Sequence, residues 1–315
     1  MIRPLKQLFR ELAPSSMVGV DFGSAAIKVV ELARDNGRVV LRRCAVTPAA
    51  GDDRTLTLRK ACADAGITNP HVAMGLASPE LVVRPFQFPR MNRKQLKAAM
   101  QLEAEQAILN GHKLAEMAVD WHLIPSDSKE SVRGVCAVVP KKELEARLEI
   151  ARSAGLQPVV GDVEALALWY AYWTLVGRRE AADSKAVLLL NVGARTTNLV
   201  VAKGSSELIL MRDFRIGTQA SDEKLGREWV TEVRDSLRYA HSKGGASWEL
   251  GAVYLTGGGS SRVDLPTLCK AIGVNVKLWN PLDDLTRETQ GPSGEDYSVG
   301  PLLTVAIGLG LRSHG

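Results

Sequence analysis

Two short stretches hold the residues whose types and spacing could do chemistry. In residues 17–32 an apolar run reaches Asp21, a small-residue turn follows at Gly23, Ser24, Ala25 and Ala26, and Lys28 precedes the β-branched pair Val29 and Val30. That pattern predicts a strand, a tight turn and a returning strand. A turn of glycine and small side chains lets backbone N–H groups close on an anion, and a nearby lysine neutralises it. Asp21 would then face a metal-bound water on the far side of a phosphate. The second stretch, residues 187–201, lies 170 positions on and puts Asn191 at the place of Asp21, Gly193 at Gly23, Thr196 at Ala26 and Val200 at Val30. Two such units at a domain-sized interval predict two related halves that grip one polyphosphate from both sides.

A third stretch, Gly257, Gly258, Gly259 and Ser260, follows the apolar run Tyr254, Leu255 and Thr256. Placed after a strand, glycines let backbone approach a nucleotide. The plainer alternative is a strand-to-helix turn.

These three stretches resemble the phosphate 1, phosphate 2 and adenosine motifs of the actin-like ATPase superfamily. Within it, residues 18–32 are similar to the PilM family of type IV pilus assembly. Residues 88–96 (Phe-Pro-Arg-Met-Asn-Arg-Lys-Gln-Leu), 103–107 (Glu-Ala-Glu-Gln-Ala) and 306–312 (Ala-Ile-Gly-Leu-Gly-Leu-Arg) support that likeness, which covers roughly residues 17–312. The resemblance implies an α/β, actin-like (ribonuclease H-like) duplicated fold around a nucleotide cleft, with a small α/β subdomain inserted in the first half. It implies ATP with Mg between the halves, Asp21 and Asn191 acting on the metal through bound water. Gly23, Ser24, Lys28, Gly193, Thr196 and Thr197 would hold phosphates, and Gly257, Gly258, Gly259 and Ser260 would face the adenosine. Asp162 and Glu164 lie where the superfamily places a carboxylate near the γ-phosphate, so Asp21 and Glu164 are the candidate catalytic residues. An acid at a helix start that complements the dipole is the alternative reading of Glu164. The partner implied is the N-terminal cytoplasmic tail of a PilN-like inner-membrane protein, taken up between the inserted subdomain and its large neighbour. Self-association is compatible with the superfamily.

Two departures matter. Asn191 stands where relatives usually have Asp, so the charge that strengthens magnesium binding is missing there. The interval from Gly217 to Trp229 is short, which implies a trimmed second small subdomain and an open adenine side. The expectation is therefore an assembly scaffold that responds to nucleotide, at most a weak ATPase. A nucleotide-free scaffold is the alternative, and a true ATPase or small-molecule kinase comes after both.

Composition narrows the field. The 315 residues are 45% hydrophobic and 24% charged, which suits two packed domains, not a disordered chain. A net charge of +5 without basic runs interleaved with aromatics argues against nucleic acid. Cys44, Cys62, Cys136 and Cys269 are scattered, and neither they nor the five histidines form a metal-ligand spacing. No P-loop pattern occurs. No apolar run reaches 18 residues and no signal-peptide pattern opens the sequence, so a cytoplasmic protein at the inner-membrane face is expected.

The elements that must position the site follow from periodicity. Residues 1–16 form an N-terminal segment, in which Leu5, Leu8, Phe9 and Leu12 at helical spacing, with Arg3, Lys6 and Arg10 on other faces, could rest residues 1–14 on a membrane surface. The first half is expected over 17–183, its insert over about 78–158 in the order strand–helix–strand–strand–helix, and the second half over 184–315. Asn92 is expected to cap a helix from Arg93, and the aromatic run within 164–175 to be core between the halves.

Overall fold

The computed structural model describes residues 16–49, 51–78, 80–108, 111–124, 129–178, 185–205, 207–243, 248–287 and 297–314. The N-terminal segment 1–15, with its expected amphipathic helix, lies outside the described residues.

The first sheet opens with three antiparallel strands, β1 (Ser16–Phe22), β2 (Ala26–Asp35) and β3 (Arg38–Pro48). Helix α1 (Arg54–Asp64) then crosses over to β4 (His71–Leu76), which runs parallel to β1, as the pattern predicts. Asp53 caps α1, its side chain accepting the Leu56 N–H at 2.8 Å. Every residue of β1 is buried, because both faces of the strand are covered. Val18, Val20 and Phe22 pack with Leu58 and Ala61 of α1, while Met17 points the other way, toward Val305 and Leu309.

Between β4 and β8 (Gln157–Val163) the chain leaves this sheet. It forms β5 (Val82–Pro89), α2 (Arg93–Ala107), β6 (Met117–Ile124), β7 (Ser131–Pro140) and α3 (Lys141–Ser153), with the strands ordered β5-β7-β6. Helix α2 begins with a reciprocal cap: Asn92 Oδ1 accepts the Gln95 N–H and Gln95 Oε1 accepts the Asn92 N–H, each at 3.0 Å. Its Met100 and Ala104 meet Phe86, Cys136 and Val138 in a small core of their own.

Helix α4 (Glu164–Tyr172), extended by a π-helical turn over Trp173–Gly177, leads to the second sheet. There β9 (Ala186–Val192), β10 (Thr197–Lys203) and β11 (Glu207–Phe214) repeat the antiparallel trio. A π-helical turn at Lys224–Glu228 and helix α5 (Trp229–Lys243) cross to β12 (Leu250–Thr256), parallel to β9. Helix α6 (Leu265–Ile272) and β13 (Val276–Leu278) complete that sheet. The strand order β3-β2-β1-β4 of the first sheet recurs as β11-β10-β9-β12 in the second. This is the duplicated, actin-like architecture. The interval between Phe214 and α5 carries no strand and only the single π-helical turn.

The large core lies between the sheets. Val30 and Leu32 from one, Leu189 and Val200 from the other, and Leu168 and Ile307 from helices α4 and α7 (Thr304–Gly310) share one cluster. Trp169 and Tyr172 belong to it, Tyr172 lying 4.8 Å from the ring of Tyr254, so the aromatic run is core as expected. Helix α7 comes close to backbone on two sides. A Cβ on Gly19 would sit 1.9 Å from Ala306 O, and one on Gly308 would sit 2.0 Å from Ala167 O. The periodic Gly-Leu-Gly near the C-terminus is therefore a packing requirement. Sequence reasoning missed β14 (Thr286–Arg287), a two-residue strand that returns to pair with β3 of the first sheet.

Candidate functional site

The first hairpin buries its acid and neutralises it. Asp21 on β1 is 6% exposed, and Lys28 is its cross-strand partner on β2, with Lys28 Nζ 3.0 Å from Asp21 Oδ2. Gly23 makes this possible, since a Cβ there would sit 2.2 Å from Lys28 Nζ. Ser24 stands exposed at the turn. Arg54, at the start of α1, ties the turn down by donating from Nη2 to Phe22 O at 3.0 Å and Gly23 O at 2.7 Å. Burial, then Arg147, holds the Arg54 guanidinium below its ordinary value, with Asp21 acting in the opposite direction. Lys28 was expected to face a phosphate; here it faces Asp21.

The second hairpin keeps the geometry and changes the charges. The Gly193 N–H closes the turn on Thr196 O at 2.9 Å, and Thr218 N–H braces Gly193 O at 3.0 Å. Thr196 is exposed at the tip. Thr197, expected beside it among the phosphate ligands, is fully buried: its hydroxyl donates to Ile216 O at 2.8 Å and accepts from Trp229 Nε1 at 2.9 Å. Thr197 is the first residue of β10 and sends its side chain into the core, whereas Thr196 stands in the turn before the strand. Asn191 Nδ2 donates to Asn198 Oδ1 at 2.7 Å, and Asn198 Nδ2 donates to Asp213 Oδ1 at 2.9 Å.

The turn after β12 sits against the second hairpin. Gly257 has φ +93°, and a Cβ on it would come 2.5 Å from both Asn191 Oδ1 and Val192 O. The N–H groups of Gly257, Gly259 and Ser260 already donate to Pro301 O, Val192 O and Gly257 O. Gly257, Gly259 and Ser260 are buried; Gly258 is exposed. The glycines at 257 and 259 thus answer first to the chain's own packing, Gly259 because a Cβ would meet Thr218 and Val192.

Glu164 opens α4 between the two hairpins. It is 9% exposed, and among the described residues no hydrogen bond or ion pair reaches its carboxyl. Burial and the charges of Asp21 and Asp213 push it up to about 8, against the opposing pull of Lys28 and Arg147. Asp213 is exposed at its surface but set among enough protein to lose part of its hydration, which raises it, while its bond from Asn198 acts the other way. Asp162 is not part of this group: it pairs with Arg312. Among the described residues, no three His, Cys, Asp or Glu side chains converge closely enough to hold a metal ion directly.

Four residues of this group escaped the sequence reading: Arg54, Arg147, Asn198 and Asp213. One signal was available, because Lys28 and Asn198 are separated by the same 170 positions as Asp21 and Asn191. A cavity of about 400 Å³ opens between Leu81 and Val83 of the inserted segment, Thr196 and Asn198 of the second hairpin, and Asp213 of β11. Another, of about 260 Å³, lies between the end of β4 at Leu76 and α3, lined by Val139, Leu144, Ala146, Arg147 and Ile150. No helix among the described residues is long and apolar enough to cross a membrane.

The family model of the type IV pilus assembly protein PilM matches residues 19–236, more than half of the chain. The chain belongs to the PilM family. Its fold is similar to a chain of a solved PilM–PilN type IV pilus biogenesis complex, with a TM-score of 0.82 and 23% identity over 95% of this chain and 98% of that one. More distant similarities are to the cytoplasmic domain of EpsL, an inner-membrane component of the type II secretion system of Vibrio cholerae, and to the ethanolamine utilization protein EutJ of Carboxydothermus hydrogenoformans. Each has a TM-score of 0.48 and 14% identity over 95% of this chain, covering 95% and 90% of those chains. The PilM match runs from within β1 to within α5, so it takes in both hairpins and the inserted segment.

Proposed function

We propose that this PilM-family chain is an assembly scaffold that binds ATP with magnesium between its two hairpins and the N-terminal tail of a PilN-like inner-membrane protein beside its inserted subdomain. The proposed units are a first half over 17–183, with its insert at about 78–158, and a second half over 184–315. The observation that carries the nucleotide reading is Glu164, a residue 9% exposed with no hydrogen bond or ion pair among the described residues and with the charges of both Asp21 and Asp213 acting on it. A buried ionisable group without a partner is costly, and a ligand that brings cations there would relieve the cost. Ser24 and Thr196 present hydroxyls at the two turn tips, and Gly258 is the exposed position of the third turn. Magnesium, where bound, would supply positive charge to the phosphates; Asp21 and Asn191 would hold it through its water shell, since no direct cage exists among the described residues.

Without a bound cation the Glu164 carboxyl is pushed up to about 8 and keeps its proton at neutral pH; a cation brought beside it would draw that proton off and leave the carboxylate. For the tail, the groove of about 260 Å³ between Leu76 and α3 is the proposed seat, its Leu144 and Ile150 offering an apolar floor and Arg147 a cation.

The second reading, a scaffold without nucleotide, draws support from Lys28 being bound to Asp21 and from the three amides of the Gly257 turn being already used. Thermal unfolding with ATP–Mg decides between them. The nucleotide reading expects a rise in melting temperature that Asp21→Ala removes, and an unchanged wild type together with retained tail binding would establish the scaffold.

A further inference from the structure

The two hairpins balance their charges differently, although their geometry is the same. In the first, Asp21 and Lys28 are cross-strand partners and form an ion pair. In the second, Asn191 and Asn198 hold the matching places and are cross-strand partners in turn. One strand further on, Asn198 faces Asp213, so Asn191, Asn198 and Asp213 make a single polar row across β9, β10 and β11.

The row has only one consistent orientation when Asp213 is ionised. A carboxylate only accepts, so Asn198 must turn Nδ2 to it, which it does at 2.9 Å. Asn198 Oδ1 is then left to accept Asn191 Nδ2, at 2.7 Å. What remains is Asn191 Oδ1, lying over the Gly257 turn. Asn191 is thereby made an acceptor on the side of the Gly257 turn, the role an aspartate would have there.

We propose that Asp213 supplies the acid absent from position 191, fixing Asn191 as an acceptor through Asn198 and joining Glu164 in holding a hydrated divalent cation on the second-half side of the cleft. Asp21 is neutralised by Lys28, whereas Asp213 has its hydrogen bond from an amide and its neighbour Arg212 pairs with Glu232. The independent observation is Glu164: it is nine-tenths buried, has no hydrogen bond or ion pair among the described residues, and follows Val163, which lines the same cavity as Asn198 and Asp213. Because no three His, Cys, Asp or Glu side chains among the described residues converge for direct ligation, the cation keeps its water shell, and acceptors and negative charge at a distance are what select it.

This inference rests on the proposed nucleotide site, and one set of titrations separates the two. ATP binding is measured calorimetrically in EDTA and in Mg²⁺, with melting temperature as a second readout. The wild type should bind ATP more tightly with Mg²⁺. In Asp213→Asn the Mg²⁺-dependent gain should fall about tenfold, with ATP binding in EDTA unchanged. Asn191→Asp combined with Asp213→Asn should recover it, because the acid returns to the hairpin. Should Asp213→Asn fail to fold, Asn198→Thr breaks the row with Asp213 in place and should lose the same gain. A wild type that binds ATP in neither condition overturns the nucleotide site and this proposal together. A wild type that responds to Mg²⁺ while Asp213→Asn responds equally, or a double variant that recovers nothing, overturns this proposal alone.

Discussion

Lys28 Nζ lies 3.0 Å from Asp21 Oδ2 across the first hairpin, and the pair is nearly buried, with side chains 16% and 8% exposed. The lysine that could meet a phosphate is therefore engaged by the acid that would face the metal. Lys28→Met should leave Asp21 buried without its cation and cost about 3 kcal/mol in denaturant unfolding. Pairing it with Asp21→Asn should recover most of the loss. Equal midpoints for Lys28→Met and wild type would show that the ion pair does not hold the hairpin.

Glu164 sets a pH dependence with a definite sign. In the unfolded chain its carboxyl loses its proton near 4.5, whereas in the fold it keeps it up to about 8. The stability it contributes is full below 4.5 and is lost as pH rises through about 8. Glu164→Gln should leave stability at pH 4 nearly unchanged and raise it at pH 9 by on the order of 2 kcal/mol. Urea unfolding at the two pH values measures this, and parallel profiles for the two proteins would refute it.

Two neighbouring glycines should respond by different amounts. Gly257→Ala puts a Cβ against Asn191 and Val192 at a left-handed backbone position, and should cost about 2 kcal/mol or more. Gly258→Ala is exposed and meets the Leu302 side chain tightly, at 3.2 Å, so that Leu302 must give by a few tenths of an ångström; it should cost less than about 1 kcal/mol. If a nucleoside lies along this turn, Gly258→Ala weakens ATP binding with little change in melting temperature. Loss of stability in Gly258→Ala equal to that of Gly257→Ala would contradict the assignment.

Ala146 is exposed on α3 and lines the groove beside Leu76. Ala146→Arg should reduce binding of a PilN-like N-terminal peptide by tenfold or more while leaving the ATP–Mg melting response intact. Undiminished peptide binding, read by fluorescence anisotropy, would move the tail site elsewhere.

The repeat at 170 positions was legible because each half must make the same turn, and small residues around Gly23 and Gly193 advertise it. The crossover after β3 was legible from periodicity, as was the cap at Asn92. What could not be read was which donors the fold would use up. Thr196 and Thr197 look alike in the sequence, yet one is exposed and the other is locked between Ile216 and Trp229. Asp213 sits in a strand that reads as ordinary, and its meaning depends on a register that joins β10 to β11. Strand β14 was invisible for the same reason, since two residues carry no periodicity and only a distant strand gives them a partner.

Helix α7 has a consequence for the order of events in the cell. Its Ala306 and Gly310 back Gly19 in the strand that leads to Asp21, so the first phosphate turn is braced by residues made at the far end of the sequence. During synthesis the opening strand emerges early and must wait, uncovered on that face, until the ribosome has released the helix that closes over it. The site is therefore completed late, and until then its apolar opening strand is exposed to wrong partners on that face.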